Sequence, residues 1–248
     1  ADAYSGGEAE KFLGKILNEY QRHSYVVSSK VFFPTGGGAN DWGLSRKHIF
    51  ENVDRSLLNL NMDYIDLYYC HRFDNTTPME ETLRALSDLV SKGKILYYGV
   101  SEEWGAARLE EAQRIIERYG LYPMTVVQPQ YNMIDRYIEH EIMSVCEKYG
   151  IGITPFSPLA QGLLTDRYLN GIPADSRMAR GENLTKDALT PELLDRLRRL
   201  NDEAQGRGET LACRALKWVL EQKGVTSVLI GASSVAQLAE NLKCIDNK

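Results

Sequence analysis

Short apolar runs alternate with helix-like segments along the chain, and this alternation is the strongest constraint on its fold. The runs are rich in β-branched and aromatic residues and cover 25–33, 64–71, 94–101, 124–132, 151–160 and 225–233. They are too short for helices and are predicted to be strands. Segments with apolar residues three and four positions apart cover 45–61, 76–94, 105–119, 137–149, 190–206, 210–223 and 234–245. Strand and helix repeating at about 30 residues are typical of right-handed parallel βαβ units.

Polar residues stand at the carboxyl ends of the predicted strands, where a buried core has no need of them. They are Lys30, His71, Ser101, Gln128, Ser157 and Ser233. Two architectures fit the repeat, a (β/α)8 TIM barrel and an open doubly wound sheet. The first strand is not followed by the G-x-G-x-x-G pattern of a dinucleotide-binding open sheet. Because barrels carry functional groups at the carboxyl ends of many strands, we predict an α/β protein with a (β/α)8 barrel as a single domain over 1–248.

The composition is that of an ordinary globular protein and argues against several functions. Hydrophobic residues make up 43% of the 248 positions, and the net charge of -5 gives no reason to expect a nucleic-acid partner. No apolar run is long enough to span a membrane. The four cysteines, Cys70, Cys146, Cys213 and Cys244, form no C-x-x-C pair. Neither a metal site nor a disulfide framework is therefore predicted, and the cytoplasm is the default compartment.

Two further segments carry local signatures. Thr77, Pro78 and Glu80 form a capping box at the start of a predicted helix. From 160 to about 208 a long polar insertion, rich in Gly, Arg and Asp, breaks the repeat. Long ordered loops in compact domains serve as lids or binding loops, so we favour a binding role over a solvated excursion.

Seven stretches, taken together, carry a family resemblance that no single strand end carries. They are AYSGGEAEKFLG (3–14), SSKVF (28–32), LYYCHRFD (67–74), GVSEEW (99–104), VVQPQYN (126–132), PFSPLAQGLLT (155–165) and IGASSVAQLAENL (230–242). In order and approximate spacing they resemble the aldo-keto reductases, most of all the branch of potassium-channel beta subunits and bacterial glyceraldehyde-3-phosphate-type reductases. The resemblance implies a (β/α)8 barrel and an oxidoreductase that transfers hydride from NADPH to the carbonyl of an aldehyde or ketone.

The resemblance assigns three catalytic residues. Tyr4 matches the proton donor, Lys30 the lysine beside it and His71 the imidazole that orients the substrate. A proton donor is needed because negative charge grows on the carbonyl oxygen as hydride reaches the carbon. An unperturbed tyrosine has a pKa near ~10, and a nearby ammonium lowers that value.

On the family pattern, the fourth catalytic residue is an aspartate that would precede Ala1, together with the first strand and helix. The resemblance therefore implies a barrel truncated at both ends, in which a buried Lys30 without its carboxylate partner loses its proton more readily. A longer parent chain, a truncated product and a missing piece supplied by another chain all stay open.

The same matching assigns a cofactor site. Ser101 and Gln128 match positions that hold the nicotinamide carboxamide, and Phe156 matches the aromatic residue that stacks on the nicotinamide face. Glu102 stands where the family has an asparagine, so the amide that the family places there is replaced by a carboxylate. The pyrophosphate positions are Ser157, Leu159 and Gly162, and the adenosine positions are Gly231, Ser233, Gln237, Glu240 and Asn241. Arg167 and Arg177 of the insertion are predicted to bind the 2′-phosphate of NADPH.

The substrate is a small-molecule carbonyl compound, and Trp42, Arg72 and Trp104 are predicted to line its site. A homo-oligomer is open by analogy with the branch. The alternative function is an NADP(H)-binding regulatory or redox-sensing subunit with little turnover. The sequence shows no dedicated partner-docking segment, which favours the enzyme over that alternative. An inert fragment is the third reading.

Overall fold

Parallel strands and helices alternate along the chain in the predicted order. The computed structural model describes residues 1, 3–174, 176–181 and 184–245, without the side chains of Arg177 and Lys186. The strands are Ser28–Val31 (β1), Ile65–Cys70 (β2), Ile95–Val100 (β3), Val126–Val127 (β4) and Gly152–Ile153 (β5). The helices are Glu8–Leu17 (α1), Arg46–Leu60 (α2), Met79–Ser91 (α3), Ala106–Tyr119 (α4), Ile142–Tyr149 (α5), Arg177–Arg180 (α6), Pro191–Gly206 (α7), Leu211–Leu220 (α8) and Val235–Lys243 (α9).

The strands form one sheet in the order β1-β2-β3-β4-β5, and the pairs β1–β2, β2–β3 and β3–β4 are parallel. The predicted α/β class with a parallel sheet is therefore confirmed. Lys30 pairs with Tyr69, and Cys70 pairs with Val100. Because the strands are parallel and in step, their carboxyl ends come out at one edge.

The chain divides into two compact units. The N-terminal unit contains residues 1–128 and 141–152, and the C-terminal unit contains 129–140 and the residues from 153 onward. In the N-terminal unit the carboxyl halves of β2 and β3 are covered on both faces, since residues 68–70 and 98–100 are buried, whereas Leu96 and Tyr97 of β3 are exposed. Strands buried on both sides explain the continuous apolar runs of the sequence.

The predicted capping box is wrong, although the predicted helix that follows it, α3, is present. α3 begins at Met79 with Pro78 as its N-cap and no capping side chain. The Thr77 hydroxyl donates instead to Asp74 Oδ2 at 2.8 Å. Other helices are capped as sequence rules expect, α2 by Ser45 and α7 by Thr190. No helix in the described ranges is both long and apolar enough to cross a membrane.

The last predicted strand, 225–233, is reduced to an isolated bridge between Val225 and Ile153 in the C-terminal unit. The Thr226 N–H donates to the Ile153 carbonyl at 2.8 Å, and the Leu229 N–H donates to the Pro155 carbonyl at 3.0 Å. The segment therefore follows the 153–155 backbone without forming a ladder. The unit's buried cluster lies elsewhere, around Leu164, Tyr168, Met178, Leu197 and Leu211.

The prediction that the cysteines form no disulfide is also wrong. Cys213 of α8 and Cys244 after α9 are bonded, with their Cα atoms 5.1 Å apart and 31 positions between them in sequence. No local pattern announces this pair, because the packing of two helices creates it. Cys70 and Cys146 are buried free thiols.

Candidate active site

Tyr4, Lys30 and His71 come together in the N-terminal unit. The Tyr4 hydroxyl lies 3.3 Å from His71 Nε2, and the two rings meet edge to face at 5.7 Å. Lys30 Nζ lies 5.7 Å from the centre of the Tyr4 ring and 5.8 Å from that of Tyr69. Lys30 and His71 are each 8% exposed, whereas Tyr4 is 49% exposed. The cluster therefore presents a reachable phenol above two buried bases.

The sheet holds two of these side chains in place. Lys30 lies on β1, and the His71 N–H donates to the Val31 carbonyl at 2.9 Å, which continues the β1–β2 pairing by one residue. Tyr4 lies in a 3-10 turn before α1, where Ser5 adopts a left-handed conformation with φ of 52°. Such a conformation costs energy for a residue with a Cβ and is concentrated at functional sites.

Aromatic rings form one wall beside the cluster. The Phe33 ring meets His71 edge to face at 4.9 Å, and the Arg72 guanidinium lies 5.5 Å from the Phe33 centroid. Trp42 is 41% exposed and packs edge to face on Phe32 at 6.3 Å. Of the three predicted substrate residues, Trp42 and Arg72 thus reach the surface near this wall.

Trp104 does not share that position. Its ring is 2% exposed and packs edge to face on Phe73 at 5.0 Å, and the Arg108 guanidinium covers Phe73 at 3.8 Å. In this structure Trp104 lies among core residues, and its contact with a substrate stays a prediction.

Burial sets the protonation of the cluster. Desolvation, reinforced by the neighbouring Lys30 and Arg72 charges, lowers the pKa of His71 to about 3, so its imidazole is neutral at ordinary pH. Burial also lowers the pKa of Lys30, which the carboxylate of Glu102 partly opposes. The direction for Lys30 is the one expected from the sequence, because a buried base loses its proton more readily.

Tyr4 departs from that expectation. Its pKa is raised, first by burial and then by the negative charge of Glu102, instead of being lowered by Lys30. Burial disfavours the charged phenolate, and the Glu102 carboxylate disfavours it further. Tyr4 therefore keeps its proton at neutral pH.

Arg72 links the cluster to the acidic segment after β3. Its guanidinium pairs with Glu102 at 2.5 Å and with Glu103 at 2.8 Å. The Glu102 N–H donates to the His71 carbonyl at 3.1 Å, which fixes this segment beside the histidine. The Arg72 guanidinium is therefore already paired with two carboxylates.

Asp74 is a site-building residue that the sequence analysis missed. It is 4% exposed, and its Oδ2 accepts from the Leu44 N–H at 2.8 Å while Oδ1 accepts from the Thr76 N–H at 2.8 Å. Burial alone raises the pKa of Asp74, but its hydrogen bonds from Thr76, Leu44 and Thr77 outweigh that effect and lower it. The carboxylate thus ties the loop after β1 to the segment after His71. In the sequence, the D-x-T-T spacing of residues 74–77 is the pattern that could have predicted this role of Asp74.

Ser101 and Gln128 lie next to each other, and both side chains carry groups that can hydrogen-bond to an amide. They are 4% and 3% exposed, and the Ser101 hydroxyl donates to the Gln128 carbonyl at 2.7 Å. The Gln128 N–H donates to the Val100 carbonyl at 2.8 Å, so β3 and β4 place the two residues side by side. A hydroxyl and a carboxamide at adjacent strand ends fit a ligand carboxamide.

Phe156, Ser157, Leu159 and Gly162 belong to the C-terminal unit. Phe156 is half-buried, and its N–H donates to the Pro129 carbonyl at 2.9 Å. Ser157 has a φ of 55°, and its carbonyl accepts from the fully buried Asn132 amide at 3.0 Å. Gly162 has a φ of 100°, which a residue with a Cβ rarely adopts. This strained turn fits a close approach of backbone to a phosphate.

The predicted adenosine positions share an exposed helix start. Gly231, Ser233, Gln237 and Glu240 are exposed, and Asn241 is 7% exposed. The Ser233 N–H and hydroxyl donate to Gln237 Oε1 at 2.9 and 2.8 Å, so Gln237 closes this turn.

Arg167 and Arg177 are the two arginines predicted to bind the 2′-phosphate. Arg167 is half-buried in a 3-10 turn, where its N–H donates to the Thr165 hydroxyl at 3.2 Å. The Arg177 side chain lies outside the described residues.

Comparisons with known proteins show the family to which the chain belongs. The sequence profile described as the aldo/keto reductase family matches residues 1–248. The chain is 42% identical to a probable voltage-gated potassium channel subunit beta of Arabidopsis thaliana, over 99% of this chain and 76% of that protein. It is 40% identical to an L-glyceraldehyde 3-phosphate reductase of Escherichia coli O157:H7, over 97% of this chain and 71% of that protein. A putative voltage-gated potassium channel subunit beta of Schizosaccharomyces pombe is 39% identical, over 99% and 74% respectively.

Proposed function

Because the chain belongs to the aldo/keto reductase family, we propose that it reduces the carbonyl group of an aldehyde or ketone to an alcohol, with NADPH as its cofactor. The observation that carries the proposal is the contact of the Tyr4 hydroxyl with His71 Nε2 at 3.3 Å beside the Lys30 ammonium. Bound NADPH would supply the hydride. The residues of this chain would position the substrate and supply the proton.

In the proposed reaction, the substrate carbonyl oxygen lies against the Tyr4 hydroxyl and His71 Nε2. His71 is neutral because its pKa is lowered to about 3, so it orients the oxygen without adding a charge. As the carbonyl carbon is reduced, Tyr4 gives its proton to the oxygen, and the alcohol forms. In its protonated form, Lys30 stabilises the resulting phenolate of Tyr4.

Each unit supplies its own proposed cofactor contacts. We propose that Ser101 and Gln128 grip the carboxamide, that Phe156 stacks on the ring, and that the turn from Ser157 through Leu159 to Gly162 faces the pyrophosphate. In the C-terminal segment the adenosine positions are Gly231, Ser233, Gln237, Glu240 and Asn241. Arg167 would supply the cation that favours a 2′-phosphate, and hence NADPH over NADH.

The pairing of Arg72 favours a neutral substrate. Arg72 is already paired with Glu102 and Glu103, so it is a poor receptor for a second anion. We therefore expect 4-nitrobenzaldehyde to be reduced faster than 4-carboxybenzaldehyde, whose carboxylate would meet these two glutamates. Trp42 would supply an exposed apolar surface for the ring.

The test is oxidation of NADPH in the presence of 4-nitrobenzaldehyde, followed by the loss of absorbance of the reduced nicotinamide. Tyr4→Phe removes the proton donor, and turnover should fall by about 10²–10⁴-fold, the usual contribution of a positioned general acid. Tyr20→Phe is the matched control, since Tyr20 is 62% exposed and lies outside the cluster. Equal turnover in Tyr4→Phe and the parent chain would overturn the role of Tyr4.

The second candidate is an NADP(H)-binding regulatory subunit with little turnover. Its support is the similarity to the Arabidopsis thaliana protein named as a probable potassium channel subunit, together with the raised pKa of Tyr4 and the lowered pKa of Lys30, which both slow proton transfer. This candidate predicts tight NADPH binding, measured by tryptophan quenching, without steady-state oxidation by any aldehyde. Rapid turnover would exclude it.

A further inference from the structure

Helix α9 is attached to the C-terminal unit by very few buried groups. Every residue from Gly231 to Glu240 is exposed, including Val235 at 85% and Leu238 at 41%. Within the helix itself only Asn241 is buried, and the next buried residue is Cys244, which is disulfide-bonded to Cys213. A helix of nine residues is marginal by itself in water, so α9 depends on its attachments.

A cavity of about 350 Å³ lies beside this disulfide and reaches Cys244. Its walls carry three cations, Arg207, Arg214 and Lys217, and two carboxylates, Glu209 and Glu221. Lys217 pairs with Glu209 at 2.6 Å, and Arg214 lies 3.6 Å from Glu221. The cavity therefore has a net positive charge, which attracts small anions.

We propose that Cys213–Cys244 is a reducible latch for α9, opened by a small anionic thiol that enters this cavity and attacks Cys244 Sγ. The thiolate forms a mixed disulfide with Cys244, and the electron pair of the broken S–S bond leaves with Cys213 as a thiolate. A second thiol then attacks the mixed disulfide and releases Cys244. Two small thiols are oxidised to one disulfide, and the protein disulfide is reduced to two thiols.

The two helices make the two sulfurs unequal. Cys213 lies in the first turn of α8, where its N–H donates to the Thr210 hydroxyl at 3.1 Å, and Arg214 follows it directly. The positive end of a helix stabilises a thiolate, so Cys213 is the better leaving group. Cys244 lies at the C-cap of α9, where the helix end is negative. Attack is therefore directed to Cys244, the cysteine that lines the cavity.

Opening the latch has a consequence that rests on the proposed function. α9 and the turn before it carry Ser233, Gln237, Glu240 and Asn241, which are assigned to the adenosine end of NADPH. If reduction lowers the fraction of molecules with α9 in place to about a tenth, the affinity for NADPH falls about 10-fold. A reducing thiol would then act as a regulator of cofactor binding.

The first experiment measures the latch without any reference to activity. The protein is equilibrated with oxidised glutathione, or with reduced glutathione, and is then alkylated and mapped by mass spectrometry. We expect Cys213 and Cys244 to be protected in the first sample and alkylated in the second. Cys70 and Cys146 are the internal controls, because both are free and buried. Their alkylation should be the same in the two samples. Alkylation of Cys213 and Cys244 after oxidation would overturn the disulfide itself.

Hydrogen–deuterium exchange then tests whether the bond holds α9. Amides of 233–245 should exchange at least about 10-fold faster after reduction, because the cross-link no longer restricts the local opening of this segment. A variant with both Cys213→Ser and Cys244→Ser should exchange at the faster rate under either condition. Equal exchange in the oxidised and reduced proteins would overturn the latch.

The direction of attack and the role of the cavity have their own readouts. When the oxidised protein is treated briefly with limiting reduced glutathione, quenched with acid and mapped by mass spectrometry, the trapped mixed disulfide should lie on Cys244, and glutathione found mainly on Cys213 would overturn the direction of attack. At equal thiolate concentration, reduced glutathione should open the bond about 10-fold faster than the cationic thiol cysteamine at low salt, and the ratio should fall at high salt. Arg207→Gln should reduce the glutathione rate by about 3-fold, and Lys92→Gln in the N-terminal unit should leave it unchanged. A ratio of one between the two thiols would overturn the assignment of the cavity.

NADPH affinity, measured by tryptophan quenching before and after reduction, separates the latch from the proposed function. Faster exchange with unchanged affinity would support the latch and overturn the adenosine role of α9. Should NADPH bind in neither state, the proposed function fails, and alkylation and exchange still decide the latch.

Discussion

The carboxyl ends of β1–β3 and the segment after 225 are built in opposite ways. In the first, Tyr69, Cys70 and Val100 are buried to 1% exposure or less, and successive strands continue their pairing past their last residues. In the second, the backbone follows 153–155 through isolated hydrogen bonds, and 231–240 is exposed throughout. Lys30 and His71 of the proposed site are placed by the first, and the proposed adenosine contacts by the second.

This difference matches the demands of the two tasks. Proton transfer depends on atoms held within a few tenths of an ångström, so it requires side chains fixed by a packed ladder. Binding and releasing a long cofactor requires a segment that opens at low cost, and few buried contacts provide it. If packing sets this difference, substitutions at the strand ends should lower stability much more than substitutions in the segment after 225.

The largest effect is expected from an added methyl group at Gly99. A Cβ there would overlap the Val126 carbonyl oxygen and approach Val126 Cγ1 at 2.5 Å, and Gly99 pairs with Val126 in the sheet. Because the obstacle is backbone, Gly99→Ala should lower the free energy of unfolding by about 3 kcal/mol. Chemical denaturation measures the change.

Gly231→Ala is the matched substitution in the exposed segment. An added Cβ would find no heavy atom of the described residues within 4 Å. We expect a change within about 0.5 kcal/mol. Equal losses for the two variants would contradict the contrast between the packed strand ends and the exposed segment.

Asp74→Asn is expected to have the next largest effect. The substituted amide would keep the shape of the side chain but replace a charged acceptor of the Leu44 N–H and of the Thr76 and Thr77 hydroxyls with a weaker one. The loss should be about 2 kcal/mol, since hydrogen bonds to a buried charged group are stronger than neutral ones. Asp54→Asn is the control, because Asp54 pairs with Lys94 at an exposed position and such pairs contribute about 0–1 kcal/mol. If both variants lose the same stability, Asp74 does not tie the two loops together.

The sequence predicted the parts of this contrast that local patterns encode. The order of strands and helices follows from apolar periodicity, and Lys30, His71, Ser101 and Gln128 were recognisable as polar residues ending apolar runs. Partners chosen by tertiary packing were not recognisable. The Cys213–Cys244 bond joins two helices across 31 positions, and Thr77 turns from the helix to Asp74. The pKa of Tyr4 is raised instead of lowered because burial and Glu102 act on it together.

His71 should make the N-terminal unit sensitive to mild acid. Its pKa is about 3 in the folded chain, below the ordinary value, so between about pH 6.5 and pH 3 only the unfolded chain binds the proton. Stability is therefore present above pH 6.5 and is lost as the pH falls through this window. Between pH 7 and pH 5 the parent chain should lose about 1–2 kcal/mol more than His71→Gln does. Urea denaturation at the two pH values measures the difference.

His23→Gln is the control for that measurement. The His23 side chain is exposed, so its replacement should leave the pH dependence of the parent chain in place. An identical loss between pH 7 and pH 5 in the parent chain and in His71→Gln would show that His71 is not held neutral by the packed strand ends.

The smallest effect is expected from Glu102→Gln, which removes a charge and leaves the packing alone. Glu102 raises the pKa of Tyr4 and opposes the lowering of the pKa of Lys30, so its removal should lower both. If Tyr4 is the proton donor, the alkaline limb of the pH profile of kcat should move to lower pH, because the phenol ionises earlier. The shift should stay within about one pH unit, since Tyr4 is half exposed and water screens the charge. Glu103→Gln is the control, because Glu103 also pairs with Arg72 but is not among the charges that shift Tyr4. If the alkaline limb shifts equally in the two variants, the summed negative charge of the segment acts on Tyr4. The fixed position of the Glu102 carboxylate beside the strand ends would then not be the cause.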